Sequence, residues 1–130
     1  MIKKLVLVDD DRDMRFLHTR LIRKSGLVET IIEFKNGKDA LNYIKEEREN
    51  PPQIIILDIN MPGISGWDVA DALRDDCKEL KGLVHLFILT SSVNPNDFSY
   101  AEEHPCIQEI LEKPLNQEKL QMIIDSASAQ

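Results

Sequence analysis

Gln53-Ile54-Ile55-Ile56-Leu57-Asp58, followed by Ile59-Asn60-Met61-Pro62-Gly63, is the most apolar run of the chain, and it ends in an acid. A short apolar run closed by a Pro-Gly turn is the pattern of a strand covered on both faces, as in parallel sheets flanked by helices. Open α/β sheets bind ligands outside the carboxyl ends of their strands, so Asp58 stands where chemistry is expected. Two more apolar runs end in reactive groups: Leu5-Val6-Leu7-Val8 leads into Asp9-Asp10-Asp11, and Leu86-Phe87-Ile88-Leu89 into Thr90-Ser91-Ser92. A fourth, Ile107 to Glu112, ends at Lys113-Pro114. In a parallel sheet all of these groups gather on one edge.

Helical patterns separate the strands. Met14, Leu17, His18 and Leu21 form an i, i+3, i+4, i+7 stripe within Arg12 to Ser25, stopped by Gly26. Val28 to Phe34 reads as the second strand. Ala40, Leu41 and Ile44 mark a second helix, and Gly66, Val69, Ala70, Leu73 and Cys77 mark a third. A fourth strand spans Val84 to Leu89. The fourth helix is expected to start at Asn94-Pro95, with a thin apolar face of Phe98 and Ala101. The fifth strand leads to a last helix, capped by Asn116, with Leu120, Ile123, Ile124 and Ala127 inward. The tail from Ser126 to Gln130 is expected to fray.

This alternation predicts an α/β fold with a doubly wound five-stranded parallel sheet, helices covering both faces. Alternation alone leaves the strand order open; the order 2-1-3-4-5 would set the first and third strands side by side and join Asp9, Asp10 and Asp58 in one crevice. At 130 residues the chain fits one domain, 1–130. No stretch approaches the ~18 apolar residues of a membrane span, and the amino terminus runs straight into a strand, so a cytoplasmic, membrane-free protein is expected. The net charge of −7 argues against nucleic acid as a partner. Cys77 and Cys106 lack metal-ligand spacing, and reduced structural thiols are the expectation.

Carboxylates held close together repel, each close pair by on the order of a few kcal/mol at an effective dielectric near 20. A divalent cation relieves this, and Mg²⁺ suits one or two carboxylates, water and phosphate oxygens. Lys113 and Thr90 add a fixed cation and a hydroxyl donor, which suits phosphoryl transfer.

Val8-Asp9-Asp10-Asp11, Leu57-Asp58-Ile59-Asn60-Met61-Pro62-Gly63 with Gly66, Leu89-Thr90-Ser91 and Lys113-Pro114 together resemble the receiver domain of two-component response regulators, the flavodoxin-like fold also seen in the chemotaxis regulator. The resemblance covers nearly the whole chain and implies the order 2-1-3-4-5. It implies that Asp58 is the phosphoacceptor, taking phosphate from a sensor histidine kinase or a phosphotransfer protein. Mg²⁺ or Mn²⁺ would be held by Asp10 directly, Asp9 directly or through water, Asp58, and the backbone carbonyl of Asn60. Thr90 resembles the switch hydroxyl, Lys113 the lysine that pairs with the phosphoryl group, and Ser91 a small residue leaving donors access, and the resemblance also implies a cis Lys113-Pro114 bond. Asn60 and Ser92 flank the phosphoryl site. Output would pass through the fourth helix, fifth strand and fifth helix to a downstream protein, as in stand-alone regulators. One departure stands out: Ile110 occupies the position, three residues before the lysine, where the family often has Tyr or Phe.

Other classes fit less well. Phosphohydrolases with an Asp nucleophile usually place a second acid two residues on, where this chain has Asn60, leaving no proton donor for turnover. A flavin module would need a Gly-, Ser- and Thr-rich loop after the first strand, and this loop is acidic. Asp11 reads as a helix cap rather than a ligand. His18 and His85 read as structural, His104 as exposed, and Trp67 as packing or partner surface. Arg12, Arg15, Arg20, Arg23 and Lys24 form a basic face on the first helix, solvated or used for kinase docking.

Overall fold

The computed structural model describes residues 1–80, 82–91 and 93–128, so the flanking role read for Ser92 and the last two residues of the tail lie outside the described residues. The elements alternate as the patterning requires: β1 (Ile2–Val8), α1 (Arg12–Ser25), β2 (Val28–Phe34), α2 (Gly37–Glu46), β3 (Ile54–Leu57), α3 (Gly66–Ala72), α4 (Arg74–Glu79), β4 (His85–Thr90), α5 (Pro95–Glu103), β5 (Ile107–Glu112) and α6 (Gln117–Ser128). All strand pairs are parallel and the sheet order is β2-β1-β3-β4-β5. Among the described residues no helix is long and apolar enough to cross a membrane.

Alternate residues of the central strands feed two cores, as the period-two geometry of a strand demands. Val6, Val8, Ile55, Leu57, Leu86 and Ile88 pack with Ala40 and Ile44 of α2, Val69 and Ala70 of α3, and Ala101 of α5. Leu5, Leu7, Ile54, Ile56, Phe87 and Leu89 pack with Ile22 of α1 and with Leu120, Ile123, Ile124 and Ala127 of α6. The sheet is thus buried on both sides, which is why the third strand reads as an unbroken apolar run.

Several expectations are corrected. The third helix is two: α3 ends at Ala72, Leu73 caps it, and α4 restarts at Arg74 with no side-chain cap. The expected fourth and fifth helices are therefore α5 and α6. On α1 the inward face is His18, Thr19 and Ile22, while Leu17 is exposed, so the stripe is rotated from the one the spacing suggests. On α5 only Ala101 is buried and Phe98 is half exposed, so the face is thinner still. Where fraying is expected, Ser126 to Ser128 continue α6 and Ala127 is buried. His104 is buried, not exposed. Cys77 and Cys106 are joined as a disulfide, with Cα atoms 5.4 Å apart, where free thiols were expected; they lie 29 residues apart in sequence, and only the packing of α4 against the start of β5 brings them together.

Candidate functional site

The ends of β1 and β3 meet where the strand order reverses, with the end of β4 beside them. Asp9 follows β1 and is buried; its amide donates to the Phe34 carbonyl of β2 (3.1 Å). Asp58 follows β3, is also buried, and its amide donates to Val8 of β1 (3.0 Å). These ladder bonds fix both carboxylates to the sheet. Asp10 is exposed, yet one carboxylate oxygen from each of Asp9, Asp10 and Asp58 lies within 4.8 Å of the others.

Lys113 enters from the end of β5. Its Nζ is 2.8 Å from Asp9 Oδ2 and 3.4 Å from Asp58 Oδ2, and its amide donates to the Thr90 carbonyl at 2.7 Å. Lys113-Pro114 is cis. The next residue is held from α1: the Leu115 amide donates to His18 Nε2 at 3.0 Å, a contact between residues 97 apart. Burial lowers the basicity of His18, which keeps that lone pair available. Burial also pulls Lys113 down, but the hydrogen bond and charges of Asp9 and Asp58 outweigh it and hold the ammonium above its usual range.

Asp58 moves the other way. Burial raises its carboxyl most, Lys113 pulls it back, and Asp9 raises it again, leaving it at about 6. One ammonium against three acids does not neutralise the cluster. The Asn60 amide donates to Asp58 Oδ1 at 3.3 Å, while the Asn60 side chain faces outward. Thr90 is fully buried, and its hydroxyl has no hydrogen-bond partner among the described residues. A buried hydroxyl without a partner costs about 1–3 kcal/mol, so it marks a place where an acceptor is missing. The donor set, hard carboxylate oxygens with an excess of negative charge, fits a small divalent cation such as Mg²⁺.

The structure therefore gathers Asp9, Asp10, Asp58 and Lys113, with Thr90 bonded through its carbonyl to the lysine backbone. Ser91 is exposed at the end of β4, and Ile110 is buried on β5 opposite Ile88, in the core beneath α5. Asp11 is a cap: Oδ1 accepts from Asp13 (3.0 Å) and Met14 (3.1 Å).

Three residues that the sequence offers only as part of a basic face, a structural histidine and a motif glycine support the site. Arg15 donates to the Asp9 carbonyl at 2.7 Å and also approaches Glu33, bracing the acidic loop. His18 anchors the loop after Lys113, and its only signal is a polar residue on an apolar stripe. Gly66 is needed because a Cβ there would sit 2.4 Å from the Asp58 carbonyl oxygen, and its amide donates to Ile59 at 3.1 Å; α3 thus starts against the Asp58 backbone, which only glycine allows.

Comparison with known proteins gives one consistent picture. Residues 5–125 match the family model described as response regulator receiver domain. A two-component response regulator from Cytophaga hutchinsonii, known from a crystal structure, is 32% identical with a TM-score of 0.92, covering 99% of this chain and 98% of that one. Protein PilH of Pseudomonas aeruginosa is 23% identical over 126 residues, covering 97% of this chain and 98% of PilH. The DNA-binding response regulator MtrA of Mycobacterium tuberculosis is 33% identical over 76 residues, and there the match spans 58% of this chain but only 31% of MtrA.

Proposed function

The chain belongs to the response regulator receiver-domain family, and from that premise we propose that it is a phospho-switch in which Asp58 takes a phosphoryl group from a phosphohistidine on a sensor kinase or phosphotransfer protein. The observation that carries this is Lys113 spanning two buried carboxylates while the Thr90 hydroxyl, on the neighbouring strand end, has no hydrogen-bond partner among the described residues. An Asp58 oxygen attacks phosphorus, an oxygen–phosphorus bond forms, and the phosphorus–nitrogen bond of the donor breaks with the imidazole leaving. The Lys113 ammonium and the Thr90 hydroxyl are donors suited to the phosphoryl oxygens, and the Asn60 amide already donates to the Asp58 carboxylate.

Asp9, Asp10, Asp58 and the backbone carbonyl of Asn60 would hold Mg²⁺ or Mn²⁺. When bound, that cation supplies charge neutralisation to the carboxylates and the phosphoryl oxygens. The small Ser91 leaves the acceptor open to donors. A phosphoryl oxygen gives the Thr90 hydroxyl an acceptor, and its shift is transmitted through Ile110 to the α5, β5 and α6 face that binds a downstream protein. Ile110 is an aliphatic residue and acts by repacking under α5 rather than by swinging a ring. The basic face of α1 receives the phosphodonor protein.

Phosphate-affinity electrophoresis of the chain and of Asp58→Asn, each with acetyl phosphate and Mg²⁺, tests the assignment. A retarded band is expected for the chain alone; retardation of the variant to the same extent places the acceptor elsewhere.

A further inference from the structure

The amino ends of β4 and β5, on the sheet edge opposite the acidic cluster, hold a second reactive group. Cys77 on α4 and Cys106 just before β5 are bonded, with a Cα separation inside the ~4.4–6.8 Å range that disulfides require. Both sulfur-bearing residues line a cleft of about 210 Å³ with Gly82, His85 and Gln108. Cys106 is buried and Cys77 only partly so, which gives a small thiol one sulfur to approach. In the same cleft His85 is fixed: Gln108 donates its amide nitrogen to Ser126, so Gln108 Oε1 accepts from His85 Nδ1 (2.6 Å).

The bond also lies beside a set of polar ties from α5 and its carboxyl end to α3. The Cys106 amide donates to Nδ1 of His104 at 3.1 Å, and His104 Nε2 donates to Asp71 of α3 at 3.0 Å. Tyr100 of α5 donates to both oxygens of the same carboxylate (2.8 and 2.9 Å) and packs edge-on against Trp67 of α3. Only Ala101 of α5 is buried, so the apolar part of its hold on the sheet is thin.

We propose that Cys77 and Cys106 form a reversible dithiol–disulfide couple, exchanging with low-molecular-weight thiols through this cleft, and that bridging pins the α5–β5 connection. Starting from the dithiol, Cys77 loses its proton to solvent, its thiolate attacks one sulfur of a small disulfide, the departing small thiolate takes up a proton, and a mixed disulfide forms. The Cys106 thiolate then attacks Cys77 Sγ, closing the bridge and expelling the second small thiol. Two electrons pass from the protein to the small disulfide, and reduction reverses both steps. This chemistry uses none of the acidic cluster and stands whether or not Asp58 takes phosphate.

The full chain equilibrated in a series of reduced and oxidised glutathione, quenched by alkylation and weighed intact, reads the couple directly. One intramolecular bridge is expected to form and disappear reversibly along the series, and to be absent in Cys77→Ser. Hydrogen exchange of the amides of His104, Cys106 and α5 is expected to slow on the order of tenfold in the bridged form, with Cys77→Ser matching the reduced chain. A bridge that never forms, that forms only between molecules, or that reduced glutathione does not reopen overturns the couple. Equal exchange of α5 in both forms overturns the restraint.

Discussion

Asp58 shows how one side chain carries both a cost and a use. It is buried beside Asp9, and the ammonium of Lys113 is shared between them, so ionised Asp58 destabilises the fold that positions it. Asp58→Asn keeps the shape and removes the charge; in metal-free buffer at neutral pH it is expected to stabilise the chain by on the order of 2 kcal/mol, seen as a higher Tm. Added Mg²⁺ should narrow the gap, because a cation offsets in the parent what the substitution removes. Thr90 presents the same trade in neutral form. Its hydroxyl is fully buried with no hydrogen-bond partner among the described residues, so Thr90→Val, similar in volume, is expected to leave the Tm unchanged or raise it by an equivalent of about 1 kcal/mol. The same variant should lose the amide shifts that beryllofluoride induces in α5 and β5. A Tm drop of several degrees would mean that the hydroxyl has a partner after all. These residues were legible because each ends an apolar strand, and a parallel sheet leaves strand ends nowhere else to point. Cys77, Cys106 and His104 were not, because their surroundings depend on how α5 and α4 pack, and a single weak stripe does not encode that.

At the scale of the element, α5 and the loop after Lys113 are each held by a buried neutral histidine. Burial lowers both His18 and His104, in the second case against the opposing pull of Asp71. Each accepts a backbone N–H on one ring nitrogen, from Leu115 and Cys106, and protonation of that nitrogen breaks the bond. Folded values below the unfolded 6.5 mean that the unfolded chain binds more protons at mildly acid pH. The stabilisation is complete above about 6.5 and is lost as pH falls through the folded values. Asp58, raised to about 6, works in the opposite direction, since its ionisation costs stability as pH rises from about 4 to 6. Melting curves from pH 7.5 to 5 in the Asp58→Asn background isolate the histidines: Tm should fall with pH, and adding His104→Gln should flatten part of that fall. An unchanged slope would show that His104 does not titrate in this range. The break at Leu73 belongs to this scale too. The stripe through Cys77 runs in phase across it, so the sequence reads as one helix, and only backbone geometry separates α3 from α4.

Across the whole molecule the net negative charge is not evenly spread. The chain carries −7 overall, yet Arg12, Arg15, Arg20, Arg23 and Lys24 line a cleft of about 430 Å³ on α1, with Phe16 exposed among them. That face adjoins the acidic loop at the end of β1, because α1 is capped by Asp11, the residue after Asp10. Under the proposed function, a donor protein bound to α1 would lie within one loop of Asp58, whereas a small donor would need no such surface. Opposite charges on the docking partners raise the encounter rate, and salt screens that gain over a Debye length of about 8 Å at 0.15 M. Arg20 and Arg23 are exposed, and the ion pairs and side-chain hydrogen bonds of Asp9 and Asp58 go to other residues, so reversing them is expected to alter docking and leave the site intact. Arg20→Glu with Arg23→Glu should slow phosphoryl uptake from a phosphohistidine protein by on the order of tenfold at low salt, with the difference shrinking as salt rises. Uptake from acetyl phosphate should be unchanged in the same variant. Equal slowing with both donors would trace the effect to the site rather than to α1, and no slowing with the protein donor would move its landing surface off this face.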